Sequence, residues 1–189
     1  MNGITGLVLA GGMGRRMGSV DKGLVEFRGK PMVAHVIDRL APQVDCLLIN
    51  ANRSLAEYGA FGLSVISDEV SGFAGPLAGL HAGLNHCATP FIVTSPCDSP
   101  FLPVDLVARL YEALQENIAE LAVAKTGDQA QPVFALYSAT LLPSLTQFLE
   151  SGGRKIDAWY STHRVVEVPF TDESAFANIN TIAELQALQ

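Results

Sequence analysis

The sequence predicts an α/β fold in which a mostly parallel sheet carries helices on both faces, a three-layer Rossmann-like arrangement. Three observations predict it. Residues 4–9, ITGLVL, form an apolar run rich in β-branched residues and without a break, the pattern of a strand buried on both faces. Shorter apolar runs recur at 45–49, 63–66 and 91–94, separated by helical patterns at the spacing of βαβ units. The first four strands run into Gly11-Gly12, Asn50, Asp68 and Asp98, and a parallel sheet brings all four to its carboxyl rim, where such folds bind ligands.

The remaining elements follow in order. Residues 24–27 make a short extended piece that turns at Arg28-Gly29-Lys30, and Pro31 opens a helix at its first position. Met32, Val33, Val36, Ile37 and Leu40 are that helix's apolar stripe. The second strand leads into Asn50-Ala51-Asn52-Arg53 and a helical stretch from Ser54 to Gly59. After the third strand, Gly72, Gly75 and Pro76 make a loop before a helix over 77–86. Pro103 and Asp105 start an amphipathic helix with Leu106, Leu110 and Leu114 inward. A strand at 121–124, a polar turn over 125–131 and an antiparallel partner at 132–137 come next. Helices at 140–149 and 155–160 flank Ser151-Gly152-Gly153-Arg154, a last strand covers 165–168, and Thr181 caps a helix from Ile182.

At 189 residues the chain is expected to form one domain, long enough to bury roughly 70% of its unfolded surface without metal or disulfide staples. No apolar stretch approaches the ~20 residues that span a bilayer, and the first apolar run is too short for a signal peptide. A cytoplasmic protein is therefore expected. Cys46, Cys87 and Cys97 show no CxxC or Cys/His spacing, so they are expected to be buried thiols. The net charge of −7 argues against nucleic acid as a partner, and the lack of a long apolar run against a membrane. Yet seven of the twelve basic residues precede Ser54 and none lies between Ser54 and Ala108. Positive charge gathered near one loop suits a small anionic ligand.

That loop is the chemical centre of the sequence. Four glycines, two arginines and a lysine fall within residues 11–22, so main-chain N–H groups can approach phosphate oxygens while cationic side chains add charge. Two familiar phosphate loops are excluded. The P-loop spacing that starts at Gly18 reaches Gly23, but Leu24 stands where its lysine belongs. The dinucleotide fingerprint fails because Met17 replaces its third glycine and Asn50 its acidic residue. Beyond the glycines, Lys22 and Arg15 are the candidate phosphate contacts, against a solvated lysine and an arginine paired with a neighbouring acid. Asp98 is read either as a Mg²⁺ ligand or as a cap or Asx turn before the next helix. Asn50 is either a nucleotide contact or a strand-end turn residue, and Asp68 either accepts from a base or is solvated charge. The four histidines share no ligand or triad spacing, and Ser95 lacks a nucleophile elbow.

The stretch Leu9-Ala10-Gly11-Gly12, followed by Gly14-Arg15-Arg16-Met17-Gly18 and then Lys22, resembles the signature of nucleotidyltransferases. Within them the chain is most similar to the molybdenum cofactor guanylyltransferase family, which joins GMP to molybdopterin. The resemblance runs nearly the full length. It implies the fold of nucleotide-diphospho-sugar transferases, GTP and molybdopterin as substrates, and Mg²⁺ on Asp98. It implies nucleotide contacts from the Leu9–Gly12 backbone, Lys22, Asn50, Asp68 and Asp98, with Lys22, Arg15 and Asp98 serving catalysis. Gly75, Gly79, Asn178 and Asn180 match segments tied to the cleft and the pterin side, and Arg154 and Lys155 are candidate contacts for the acceptor's phosphate. Molybdoenzyme apoproteins or cofactor-delivery proteins are the expected macromolecular partners. Alternatives are a cytidylyltransferase using CTP on the same pterin, a sugar-phosphate nucleotidyltransferase, and a nucleotide-binding adaptor that delivers cofactor without transfer.

Overall fold

The computed structural model describes residues 3–11, 21–70 and 75–188, without the side chain of Ile182. The described residues build β1 (Ile4–Leu9), a small hairpin of β2 (Glu26–Phe27) and β3 (Lys30–Pro31), α1 (Met32–Leu40), β4 (Cys46–Asn50), α2 (Leu55–Gly59) and β5 (Ser64–Ile66). Then come α3 (Pro76–Asn85), β6 (Phe91–Pro96), α4 (Leu106–Glu116), β7 (Leu121–Thr126), β8 (Gln129–Ser138), α5 (Leu142–Glu150), α6 (Ile156–Tyr160), β9 (Val165–Phe170) and α7 (Ile182–Leu188).

Seven strands form one sheet in the order β5-β4-β1-β6-β8-β7-β9. β1 pairs in parallel with β4 and β6, β4 with β5, and β7 with β9, so only β8 runs against the others. The predicted mostly parallel sheet is therefore present. The order reverses at β1, because the chain first builds outward through β4 and β5 and then crosses to place β6 on the other side of β1. Leu9 lies level with Asn50 and Pro96, and Asn50 level with Ile66. The four expected strand ends thus share the carboxyl rim beside this switch point, the place where open α/β sheets leave a crevice.

Each face of the sheet is closed by its own core. On one side Ile4, Val8, Ile49 and Val93 pack with Val33, Val36 and Leu40 of α1, Leu106 and Leu110 of α4, and Tyr58 of α2. On the other, Leu7, Ile92, Val123 and Tyr137 meet Leu77, Leu80 and Leu84 of α3, Leu145 and Leu149 of α5, and Trp159 of α6. Alternate residues of β1 serve opposite cores, which is why its sequence shows no polar face.

Several expectations need correction. The polar turn predicted over 125–131 is mostly strand: the β7–β8 ladder continues to Thr126 opposite Gln129 and closes through Gly127-Asp128, with Gly127 at φ 52°. Polar residues here face the rim, so polarity misplaced the turn. The register shifts beyond Val123, opposite Pro132, which fits proline's exclusion from a regular ladder. The bulge carbonyls are satisfied, Pro132 O by the Tyr137 hydroxyl at 3.1 Å and Val133 O by Thr94 Oγ1 at 2.7 Å. Pro31 stands one place before α1, held in β3 by its pairing with Glu26. Cys97 is buried, but Cys87 is half-buried and Cys46 exposed, since Cys46 opens β4 at the amino end of the sheet. Gly72 lies outside the described residues. Thr181 caps α7 as expected, its Oγ1 accepting from Glu184 N at 3.1 Å while the Glu184 carboxylate accepts from Asn180 N at 2.7 Å, a variant of the capping box.

α3 approaches the sheet through two glycines one turn apart. A Cβ at Gly83 would sit 2.5 Å from Leu7 Cδ2 and 2.9 Å from Ile92 Cδ1, both on fully buried side chains. Gly83→Val is therefore expected to lower the unfolding free energy by about 1–3 kcal/mol through overpacking, measured by urea denaturation.

Candidate active site

At the rim, three parts of the chain far apart in sequence meet on one ammonium group. Lys22 opens a short 3-10 turn, Lys22–Leu24, and its Nζ lies 3.2 Å from Asp98 Oδ2 and 2.5 Å from Asn180 Oδ1. Asp98 follows the end of β6 and is almost wholly buried. It stands well before Leu106, where α4 begins, so it does not cap that helix, and its side chain turns to Lys22 instead. A buried carboxylate is costly unless a cation compensates it. The segment that carries Asn180 is fixed by main-chain and side-chain bonds: Ile179 N donates to Asp98 O at 2.9 Å, and Ser99 Oγ donates to Asn178 Oδ1. Ile179 itself is buried with Phe27, Met32 and Leu185, so the tail is anchored against the β2–β3 hairpin.

Next to this cluster lies an amide and carboxylate group at the ends of β4 and β5. Asn50 Nδ2 donates to Asp68 Oδ1 at 2.9 Å, and Asn52 Nδ2 donates to Asp68 Oδ2 at 2.8 Å, while Asn52 Oδ1 accepts from Asp68 N. Asp68 is thus fixed by amides rather than free in solvent. The backbone leaving β1 is tied to the neighbouring strand ends, with Ala10 N donating to Asn50 O at 2.8 Å and Cys97 N to Leu9 O at 3.1 Å. Gly11 faces this group: a Cβ there would lie 3.1 Å from Asn52 Nδ2.

Among the described residues, the other predicted ones make no hydrogen bond to the Lys22 cluster. Gly75 starts α3 with φ 61° and ψ −145°, a conformation that side chains resist. Gly79, one turn later, is buried against Leu9 and Asn50. β8 ends at the amino side of the sheet, where Ala139 N donates to Pro90 O, so α5 climbs back and leaves residues 151–155 toward the carboxyl rim. Arg154 Nη1 donates to Leu149 O at 3.0 Å, capping α5, and Lys155 is exposed at the start of α6. Gly12 and Arg15 lie outside the described residues.

Sequence reasoning missed Asn52, Asp21, Tyr58 and Ser99. For Asn52 the signal was present, because residues two apart on an extended chain point the same way, so Asn50 and Asn52 can share one partner. Tyr58 is fully buried, and its hydroxyl donates to Asp21 Oδ1. Burial first, then the neighbouring Cys97 and Asp21, push its pKa far above the usual phenol value, so it remains a donor. Burial, Asp98 and Asp21 likewise push the Cys97 thiol up, which removes it as a nucleophile.

Among the described residues no group of three or more His, Cys, Asp or Glu gathers to cage a metal. One buried carboxylate at the carboxyl rim fits Mg²⁺, which takes one or two carboxylates and fills its other positions with water and substrate oxygens.

A Cβ at Gly79 would fall on Asn50 Oδ1 and lie 2.6 Å from Leu9 Cδ2. Gly79→Ala should push the Asn50 amide off Asp68. The lost bond to a carboxylate, about 1.5–3 kcal/mol, outweighs the roughly 1 kcal/mol that alanine gains in a helix, so urea denaturation should show net destabilisation.

The MobA-like NTP transferase domain matches residues 6–165. The chain is 57% identical to the molybdenum cofactor guanylyltransferase of Cupriavidus taiwanensis over 97% of its own length and 95% of that protein's. Among solved structures, molybdopterin-guanine dinucleotide biosynthesis protein A from Archaeoglobus fulgidus superposes with a TM-score of 0.79 at 26% identity, covering 97% of this chain and 96% of that one. The fold alone is shared with a 4-diphosphocytidyl-2C-methyl-D-erythritol synthase from Anaerococcus prevotii, at a TM-score of 0.74 and 13% identity over 99% and 96% of the two chains. The switch-point rim with its lysine and buried aspartate is thus set in a matching fold, and the chain belongs to the MobA-like NTP transferase family of nucleotidyltransferases.

Proposed function

We propose that this chain is a molybdenum cofactor guanylyltransferase, which transfers GMP from GTP to the terminal phosphate of molybdopterin and releases pyrophosphate. The observation that carries this reading is the meeting of Lys22, Asp98 and Asn180 at the carboxyl rim, in a chain 57% identical to a protein of that name. A phosphate oxygen of the acceptor attacks the α-phosphorus of GTP in line. The new P–O bond forms as the bond to the bridging α–β oxygen breaks, and pyrophosphate leaves with that electron pair. No covalent enzyme intermediate is required.

The residues act by position and charge. The backbone of Leu9, Ala10, Gly11 and Gly12, with Lys22 and Arg15, holds the triphosphate. Asn50 and Asp68 hold the nucleoside, and Asn52 keeps Asp68 oriented. Asp98 would hold Mg²⁺ together with the substrate phosphates, and the ion supplies charge neutralisation at the α-phosphate and the leaving group. Lys22 leaves Asp98 for the phosphates when nucleotide enters, exchanging one anionic partner for another. Gly75, Asn178 and Asn180 are assigned to the acceptor side, with Arg154 and Lys155 as the candidates for the acceptor's phosphate, while Gly79 backs Asn50 on the nucleoside side. A cytoplasmic location suits a reaction that consumes a nucleoside triphosphate, and no helix among the described residues is long and apolar enough to cross a membrane.

The test is pyrophosphate release in the presence of molybdopterin and Mg²⁺, with GTP and CTP in parallel. Release with GTP well above CTP is expected. The reverse preference would make the chain a cytidylyltransferase, and tight GTP binding without release would make it an adaptor. Lys22→Ala and Asp98→Asn should each lower the GTP rate on the order of 10²-fold or more, with circular dichroism spectra unchanged. Lys155→Ala should raise the KM for molybdopterin several-fold while the GTP Kd from calorimetry stays constant.

A further inference from the structure

The turn that carries Lys22 is held from behind by a buried group that plays no part in the reaction above. Asp21 occupies the N-cap position of the Lys22–Leu24 turn, yet its side chain makes no capping bond there. It reaches away from the turn and accepts from the Tyr58 hydroxyl. Tyr58 belongs to α2, the first helix after the Asn50–Asn52 corner, and is fully buried. The same hydroxyl presses on the next residue of the turn: a Cβ at Gly23 would lie 2.5 Å from it and 3.2 Å from Cys97 Cβ and Sγ. Lys22 is thus flanked on both sides by residues seated on Tyr58, one by a hydrogen bond and the other by contact. From this turn its ammonium reaches Asp98 and Asn180 on the rim.

We propose that Tyr58 is a positioning residue for Lys22, acting through Asp21 to fix the turn from which the lysine reaches the substrate's phosphates. The inference rests on the phosphate role given to Lys22 above. It also joins the two halves of the nucleotide site, because α2 follows directly from the corner that holds Asp68. A hydroxyl placed at this joint lets the nucleoside corner and the phosphate turn move as one body.

The test is a double-mutant cycle read by calorimetric GTP binding with Mg²⁺ and by steady-state KM. Tyr58→Phe keeps the ring in its slot and removes only the donor. It is expected to weaken GTP binding about tenfold, the scale of one hydrogen bond to a charged group. The KM for molybdopterin should stay within about twofold, and the effect should vanish in a Lys22→Ala background, where there is no lysine left to position. Should Tyr58→Phe fail to fold, Asp21→Ala removes the same bond from its half-buried end and must give the same dependence on Lys22. Equal losses with and without Lys22, or no loss in Tyr58→Phe, would overturn the inference. If Lys22→Ala alone leaves GTP binding unchanged, it is the phosphate role of Lys22 that fails, and the positioning role falls with it.

Discussion

The ion pair of Lys22 with Asp98 is the contact on which the arrangement of the rim depends. A carboxylate this far inside would be costly alone, and a lysine on a glycine-rich turn would ordinarily wander in solvent. Each removes the other's difficulty, and Asn180 completes the lysine's coordination from the far end of the chain. The three residues come from the turn after β1, the end of β6 and the approach to α7, so the pair also records that the sheet, its switch point and the tail are all in place.

The same logic governs the neighbouring group. Asp68 is held by two amides from one strand end, which satisfy both of its carboxylate oxygens. Among the described residues the rim thus carries a cation, Lys22, at its ion pair with Asp98, and an amide-held carboxylate, Asp68, beyond β5. The glycines at 11 and 79 belong to this group as much as to any backbone requirement, because both leave room for the Asn50 and Asn52 amides.

Much of this was legible in the sequence, for identifiable reasons. Strands buried on both faces announce themselves by unbroken apolar runs, and the parallel order then forces their polar ends onto one rim. That reasoning places Asn50, Asp68 and Asp98 together without any side-chain geometry. It does not reach Asn180 or Tyr58. Asn180 arrives through a tail whose path is set by the burial of Ile179, a tertiary contact with no local pattern. Tyr58 reads as an ordinary core aromatic, and only the direction of its hydroxyl distinguishes it. The β7–β8 turn was misplaced for a different reason: polar residues at the rim end of a strand imitate a loop, and Pro132 imitates a strand boundary when it marks a bulge.

The position of β8 has a consequence for how the molecule assembles. Its pairing with β7 is local, closed by a two-residue turn, whereas β1 must find both β4 and β6 across long stretches of chain. Ordering those distant strands carries most of the loop-closure entropy. Within the sheet, the β7–β8 hairpin meets β1, β4, β5 and β6 only through the pairing of β8 with β6, so the lone strand of opposite sense is the seam along which the two halves of the sheet are joined.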